Sequence, residues 1–158
     1  MTDPTDHPPP TPQEPSGPLQ EVLGLRVAGQ DYAIPVPAVR EIRGWTAATP
    51  LPHAAPEMLG VINLRGTVLP LIDLSVALGG PALEPGPRSV VVVIRVGEVQ
   101  RGLLIDTVSD IEGIDPEGVQ PPPRGARSAI AGLYSREEGL MRLLDADALV
   151  GAVPEAEL

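Results

Sequence analysis

A chain of 158 residues, 42% of them hydrophobic, is long enough for one domain or for two small subdomains that share a core. The net charge of −10, with eleven basic residues that are all Arg and form no basic stripe, argues against nucleic acid or an anionic membrane surface as a ligand. The absence of Cys excludes disulfides, thiolate metal sites and cysteine nucleophiles, and no apolar run approaches the roughly 18 residues of a membrane-spanning helix. We therefore expect a soluble, cytoplasmic protein.

The beginning of the chain differs in composition from the rest. Residues 1–19 contain seven prolines and few apolar side chains, so they bury too little surface to offset the entropy lost on ordering. We expect a disordered Pro-rich tail over 1–19, a folded part over 20–153 and a short acidic tail over 154–158. The two tails favour a free-standing protein over a domain detached from a longer chain.

The folded part reads as about ten short strands separated by Gly, Pro and polar turns, as in a β-barrel or β-sandwich. Strands are predicted at 22–27, 32–36, 41–45, 61–64, 67–74, 89–96, 99–114, 129–135 and 140–145. The 99–114 strand is long, and we expect it to bend at Gly102. Single helical turns are predicted around 37–40 and at 146–150. The β-branched run SVVVVIRV (89–96) indicates a strand buried on both faces.

The tetrapeptide Asn63-Leu64-Arg65-Gly66 separates two apolar runs and contains the only Asn of the chain. Asn tolerates turn backbones and Gly permits positive φ, so Asn63 and Gly66 are predicted to build a turn. Arg65 is predicted to present its guanidinium to a carboxylate or carbonyl of a partner. A local surface pair, for example with Glu41, is the simpler interpretation, and the two are compatible.

Candidates for catalysis are few. Asp106-Thr107 could begin the Asp-Thr-Gly turn of an acid protease, but Val108 stands where that turn needs Gly. Asp106 and Asp110 would lie about 13 Å apart on a straight strand, too far to share a proton. His7 and His53 cannot supply a metal site unaided. We therefore expect no catalysis, no metal and no cofactor.

The segment GVINLRG (60–66), followed by PLIDL (70–74), resembles the signature of the CheW-like family, the adaptor domain of bacterial chemosensory arrays. Further blocks follow in the family's order: YAI (32–34) with VREIRG (39–44), LP (51–52) with APE (55–57), GLLIDTVSD (102–110), AGL (131–133) and MRLLD (141–145). The resemblance covers about residues 20–150. Ala33, Pro35, Pro37 and the lack of Phe depart from the family pattern, and these departures concern packing and turn geometry.

The resemblance implies an all-β fold of two packed five-stranded SH3-like β-barrel subdomains that share one hydrophobic core, with at most short helical turns. It implies a non-catalytic adaptor that binds the cytoplasmic tip of chemoreceptors and the regulatory domain of a CheA-type histidine kinase. Adaptor–adaptor contacts in rings would also be compatible with it. Such a protein is recruited to the inner face of the membrane through receptor arrays and does not insert into it.

Carried over by motif, the partner-binding residues are Arg65, Glu41, Val39, Val90 and Val108. In the family the Arg and the matching Glu lie near one another beside the receptor groove, and the valines line that groove. Plain core packing is the alternative for the valines, above all for Val90. Two other functions stay open: an adaptor of a diverged pathway controlling pili, development or a second messenger, and a β-barrel binding module of unknown ligand.

Overall fold

The structure is a computed structural model that describes residues 17–151. Its strands are β1 (Gln20–Val27), β2 (Gln30–Pro35), β3 (Val39–Gly44), β4 (Met58–Leu64), β5 (Thr67–Asp73), β6 (Val90–Val96), β7 (Val99–Ile105), β8 (Thr107–Ile114), β9 (Ile130–Arg136) and β10 (Gly139–Leu144). The helices are α1 (Leu74–Ala77) and α2 (Ala146–Gly151), with 3₁₀ turns at Val36–Ala38 and Pro116–Gly118. The predicted tails lie outside the described residues, except for 17–19.

Two five-stranded sheets contain these strands. Sheet 1 has the order β8-β1-β2-β10-β9 and sheet 2 the order β3-β6-β7-β5-β4. Hairpin neighbours are antiparallel, and each sheet has one parallel pair, β2 with β10 and β5 with β7. The strands of sheet 2 are consecutive in sequence, so sheet 2 is an insertion between β2 and β8 of sheet 1. The predicted fold class, all-β with two five-stranded units and only short helices, is confirmed.

The two sheets share one apolar core. Its largest cluster takes side chains from sheet 1, sheet 2 and α2, including Leu25, Ile34, Ile94, Leu103 and Leu149. Each sheet also encloses a cluster of its own, around Leu69 and Val91 in sheet 2 and around Ile114 and Met141 in sheet 1. The shared core predicted from the family resemblance is therefore present.

Strand β6 shows why the sequence packs in this way. Successive side chains of a strand point to opposite faces. Val92 and Ile94 accordingly enter the shared core, whereas Val91 and Val93 enter the cluster inside sheet 2. Burial on both faces is what the continuous apolar run predicted, and it holds sheet 2 between two cores.

The predicted bend at Gly102 is wrong, because the chain leaves sheet 2 at Asp106 instead. Strand β7 ends at Ile105, and β8 pairs with β1 in sheet 1. The Asp106 amide donates to the Arg26 carbonyl at 3.2 Å, and its carboxylate accepts from the Ala28 amide at 2.7 Å. Gly102 has a packing role, since a Cβ there would lie 2.4 Å from a methyl carbon of Leu71.

The predicted strand 67–74 ends one residue early, at a helix that the sequence analysis did not anticipate. Asp73 is almost fully buried, and its carboxylate caps α1 by accepting from the Val76 amide at 3.3 Å. The other carboxylate oxygen accepts from the Leu83 amide at 2.8 Å. A single buried acid thus fixes both α1 and the loop that follows it.

Candidate functional site

The β4–β5 hairpin closes through the two-residue loop Arg65-Gly66, since Leu64 pairs with Thr67. Both loop residues have positive φ, +54° for Arg65 and +85° for Gly66, as a type I′ turn requires. The Asn63 side-chain oxygen accepts a hydrogen bond from the Gly66 amide at 2.8 Å. Asn63 and Gly66 therefore shape the turn, and Arg65 is the residue at its tip.

Arg65 holds an unfavourable backbone conformation. A left-handed backbone brings Cβ close to the following carbonyl oxygen and costs an L-residue about 1–2 kcal/mol. Within residues 17–151 the other non-glycine residues with positive φ are Ala28 and His53. Ala28 occupies the same position in the β1–β2 loop and is tied down by Asp106. Strain of this kind persists where the surrounding structure fixes it, and it often accompanies function.

Arg65 forms a two-point ion pair with Glu41. Its Nη1 donates to Oε1 and its Nη2 to Oε2, each at 3.1 Å. The Glu41 side chain is 27% exposed and the Arg65 side chain 75% exposed, so the carboxylate is held by the fold while the guanidinium reaches solvent. Strand β3 and the β4–β5 turn belong to opposite edges of sheet 2. The pair shows that the sheet curls until these two edges meet, and we call the line along which the edges of a sheet meet its seam.

A polar hollow of about 280 Å³ surrounds this pair. It is lined by Arg40, Glu41, Leu64, Arg65, Thr67 and Gln100. Two guanidinium groups face one carboxylate, so the lining carries a net positive charge in an acidic protein. Arg40, Thr67 and Gln100 come from three different strands, and the sequence analysis missed them because no local motif joins those strands.

The three valines occupy separate places. Val39 begins β3 opposite Ile94, and Val90 begins β6 opposite Gly44, at the other end of the same ladder. Val108 lies in the other sheet, on β8. All three are partly buried and pack against the shared core, and none lines the hollow around Arg65. The structure thus joins Arg65 to Glu41 but does not join the valines to that pair.

The described residues contain neither a grouped set of metal ligands nor a membrane-spanning helix. Among residues 17–151 no three His, Asp or Glu side chains are grouped so as to hold a metal ion. The Asp106 carboxylate is engaged by the Ala28 amide, which gives this acid a structural role at the crossing between the sheets. In the same stretch of chain, none of the helices has the length and apolar character needed to cross a membrane.

The protein consists of two curled five-stranded sheets on a common core, with an arginine-tipped turn at the seam of sheet 2. This arrangement defines an all-β interaction domain. A sequence profile described as CheW-like domain matches residues 21–153. The chemotaxis protein CheW of Rhizobium meliloti is 44% identical over 134 residues, covering 82% of this chain and 86% of the relative. The probable chemotaxis protein CheW of Rhizobium etli is 40% identical with the same coverage. The chain belongs to the CheW-like domain family.

A solved structure agrees with the fold. The crystal structure of the scaffolding protein TtCheW from Thermoanaerobacter tengcongensis superposes with a TM-score of 0.74 at 22% identity, covering 80% of this chain and 89% of the other. Family membership makes the protein a non-catalytic chemotaxis scaffold that couples chemoreceptors to the kinase CheA. The family resemblance and the expectation of an adaptor instead of an enzyme are both confirmed.

Proposed function

We propose that Arg65, at the tip of the β4–β5 turn, is the polar anchor of the chemoreceptor contact and that Glu41 holds it in place. The observation that carries this proposal is the two-point Glu41–Arg65 pair on a strained, exposed turn. A guanidinium held by one carboxylate keeps donors free for a second acceptor, since Arg offers five N–H groups. The surrounding hollow provides room for that acceptor.

Val39, Val90 and Val108 supply the apolar part of the same receptor contact in this proposal. A receptor tip is a helical hairpin, and an amphipathic helix docks its apolar face on partly buried aliphatic side chains. The partial exposure of the three valines at the margin of the shared core supports this role. Their separation means that the receptor would cover a broad face of the domain.

The remaining surface serves the other partners of the scaffold. The regulatory domain of a CheA-type kinase binds there, and adaptor–adaptor contacts complete rings in the array. The protein acts in the cytoplasm at the inner face of the membrane, where the receptors hold it. The relatives at 44% and 40% identity are named as chemotaxis proteins, which supports this pathway over one controlling pili, development or a second messenger.

Co-precipitation from the native cytoplasm tests the proposal. The baits are the wild-type protein, Arg65→Glu, and Arg124→Glu as a matched reversal at an exposed arginine in the loop before β9. We expect Arg65→Glu to reduce receptor recovery at least about tenfold, because a charge-assisted contact contributes about 1.5–3 kcal/mol. Kinase recovery and the Arg124→Glu result should match the wild type.

A charge swap distinguishes a role of Arg65 in receptor binding from a role in the stability of the fold. The double variant Glu41→Arg/Arg65→Glu restores an ion pair across the seam but presents a carboxylate to the partner. We expect its thermal stability to recover while receptor recovery stays low. Receptor binding restored by the swap, or unaffected by Arg65→Glu in a folded protein, would show that the pair is only structural. Recovery of neither partner by the wild type would leave a β-domain of unknown ligand.

A further inference from the structure

A second polar cleft lies where β2, the end of α1 and the loop before β9 meet. Two adjoining hollows of about 280 and 380 Å³ share Gln30, Tyr32, Leu78 and Gly79 in their walls. None of the residues lining them belongs to the hollow around Arg65. The cleft is therefore a separate surface of the scaffold.

Two arginines project into this cleft from different elements. Arg142 of β10 is partly buried, and its guanidinium carbon lies 5.7 Å from the centre of the Tyr32 ring, on the neighbouring strand. Arg127 comes from the loop, where its carbonyl accepts from the Ile130 amide at 2.9 Å. Both side chains line the same hollow.

Gly79 makes room for Arg127. A Cβ at Gly79 would lie 3.0 Å from Nη2 of Arg127, and the positive φ of +87° there also favours glycine. The guanidinium thus rests against bare backbone at the end of α1. Contact with a ring at Arg142 and with backbone at Arg127 orients both guanidinium groups and lowers the entropy they would lose on binding.

Within residues 17–151 neither guanidinium has an ion-pair partner. Among residues 17–151 the ion pairs use Arg26, Arg65 and Arg136, and none includes Arg127 or Arg142. Two like charges in one cleft repel each other, although the chain as a whole carries a charge of −10. An anionic occupant would relieve that repulsion.

A buried serine hydroxyl lies beneath the floor of the cleft. Ser75 is 2% exposed, and its hydroxyl has no hydrogen-bond partner in the described part of the chain. It lies beneath Gly80, where a Cβ would come within 2.7 Å of Oγ. Apolar walls from Leu78 and Ile130 complete the cleft. The lining thus combines two cations and aliphatic surface above a buried hydroxyl.

We propose that this cleft binds an acidic peptide segment of a partner protein, with one carboxylate at Arg127 and the next at Arg142. Two joined hollows with partly apolar walls suit an extended segment better than a single small anion. Arg presents a planar pair of donors that matches a carboxylate. The segment would give the scaffold a docking point that is independent of the proposed receptor contact.

Fluorescence anisotropy with the full chain tests this docking point. The probe is a fluorescein-labelled peptide Gly-Glu-Leu-Glu-Gly, with Gly-Gln-Leu-Gln-Gly as its uncharged counterpart. The variants are Arg127→Gln and Arg142→Gln, and Arg124→Gln is the control because it lies in the same loop but does not line the cleft. We expect saturable binding of the acidic peptide, weakened by added salt and about tenfold by either cleft variant. Arg124→Gln should bind as the wild type does.

Four results would overturn the proposal. These are no saturable binding by the wild type, equal binding of the uncharged peptide, equal weakening by Arg124→Gln, and displacement by inorganic phosphate as effectively as by unlabelled acidic peptide. The last would define a small-anion site. Circular dichroism checks that each variant is folded. Because the assay contains neither receptor nor kinase, its result is independent of the receptor experiment.

Discussion

At the scale of single residues, the β4–β5 turn keeps an arginine where glycine would suit the backbone better. The two-residue loops Arg65-Gly66 and Ala28-Gly29 share positive φ at both positions, so each places a non-glycine residue in a left-handed conformation. The Arg65–Glu41 pair is exposed on the arginine side and contributes only about 0.2–1 kcal/mol. That gain is smaller than the strain, which suggests that Arg65 is kept for what it contacts.

Replacing the strained residues with glycine distinguishes their effect on the stability of the fold from their effect on receptor binding. Arg65→Gly relieves the left-handed strain but loses the ion pair, so we expect a free energy of unfolding within about 1 kcal/mol of the wild type. Receptor binding should fall at least about tenfold. Ala28→Gly is the control, with similar stability and unchanged binding. Urea unfolding and receptor co-sedimentation measure the two quantities, and normal receptor binding by Arg65→Gly would contradict the assigned role.

The sequence allowed the tip of this site to be predicted because its determinants are local. Asn63, Arg65 and Gly66 are neighbours, and turn chemistry follows from residue type alone. Arg40 and Gln100 were not found, since they reach the hollow only after β3, β7 and the hairpin have paired. Arg127 and Arg142 were overlooked for the same reason: their common cleft depends on the parallel pairing of β2 with β10.

At the scale of elements, ion pairs join the open edges of both sheets. In sheet 1, Arg136 of the edge strand β9 contacts Glu112 of the opposite edge strand β8, and its Nη2 lies 3.2 Å from an Asp31 carboxylate oxygen on β2. In sheet 2 the Glu41–Arg65 pair has the corresponding position. An unpaired strand edge exposes backbone groups to unwanted pairing, and these contacts help to close each sheet on itself.

Removing Arg136 tests the closure of sheet 1. The arginine side chain is 14% exposed, and Asp31 and Glu112 are about one-third exposed, whereas its third carboxylate partner, Glu138, is 74% exposed. Arg136→Met keeps the apolar stem but leaves Glu112 unpaired, so we expect a loss of about 1–3 kcal/mol in the free energy of unfolding. Arg26→Met removes a 55% exposed partner of Asp31 and should cost less than about 1 kcal/mol. Chemical denaturation checks both values, and equal losses would contradict a special role for the seam.

Element boundaries were predictable where side chains alternate and less so where the chain changes sheets. From the sequence alone, 99–114 was predicted to be a single long strand with its bend at Gly102. The structure instead breaks it at Asp106, because the amide and carboxylate of that residue bond to Arg26 and Ala28 of sheet 1. Such a partner is about 80 residues away in sequence, and no local pattern reveals it.

At the scale of the whole molecule, the insertion of sheet 2 into sheet 1 makes the two units interdependent. The chain enters sheet 2 after β2 and returns at β8, so the whole of sheet 2 lies in sequence between β2 and its partner β10. The sequence pattern indicated about ten short strands, and the family resemblance supplied their division into two units. The pairing order itself could not come from the pattern, because Tyr32 and Arg142 pair across more than a hundred residues.

The shared core makes a definite prediction about unfolding. Ile34 of sheet 1 and Ile94 of sheet 2 are both fully buried in the same cluster. Ile34→Val should lower the free energy of unfolding by about 0.5–1.5 kcal/mol, and Ile94→Val by a similar amount. Trp45, the only Trp, packs against the cluster inside sheet 2 and reports on that unit by fluorescence, whereas circular dichroism reports on the whole chain.

If the sheets unfold as one cooperative unit, Ile34→Val in sheet 1 shifts the Trp45 fluorescence transition as far as it shifts the circular dichroism transition. Ile94→Val then serves as the matched substitution within the unit that contains the probe, and the two variants give coincident curves. A Trp45 transition that responds to Ile94→Val but not to Ile34→Val would mean that sheet 2 unfolds independently. Coincidence is expected because neither sheet can leave the common cluster without exposing the apolar face of the other.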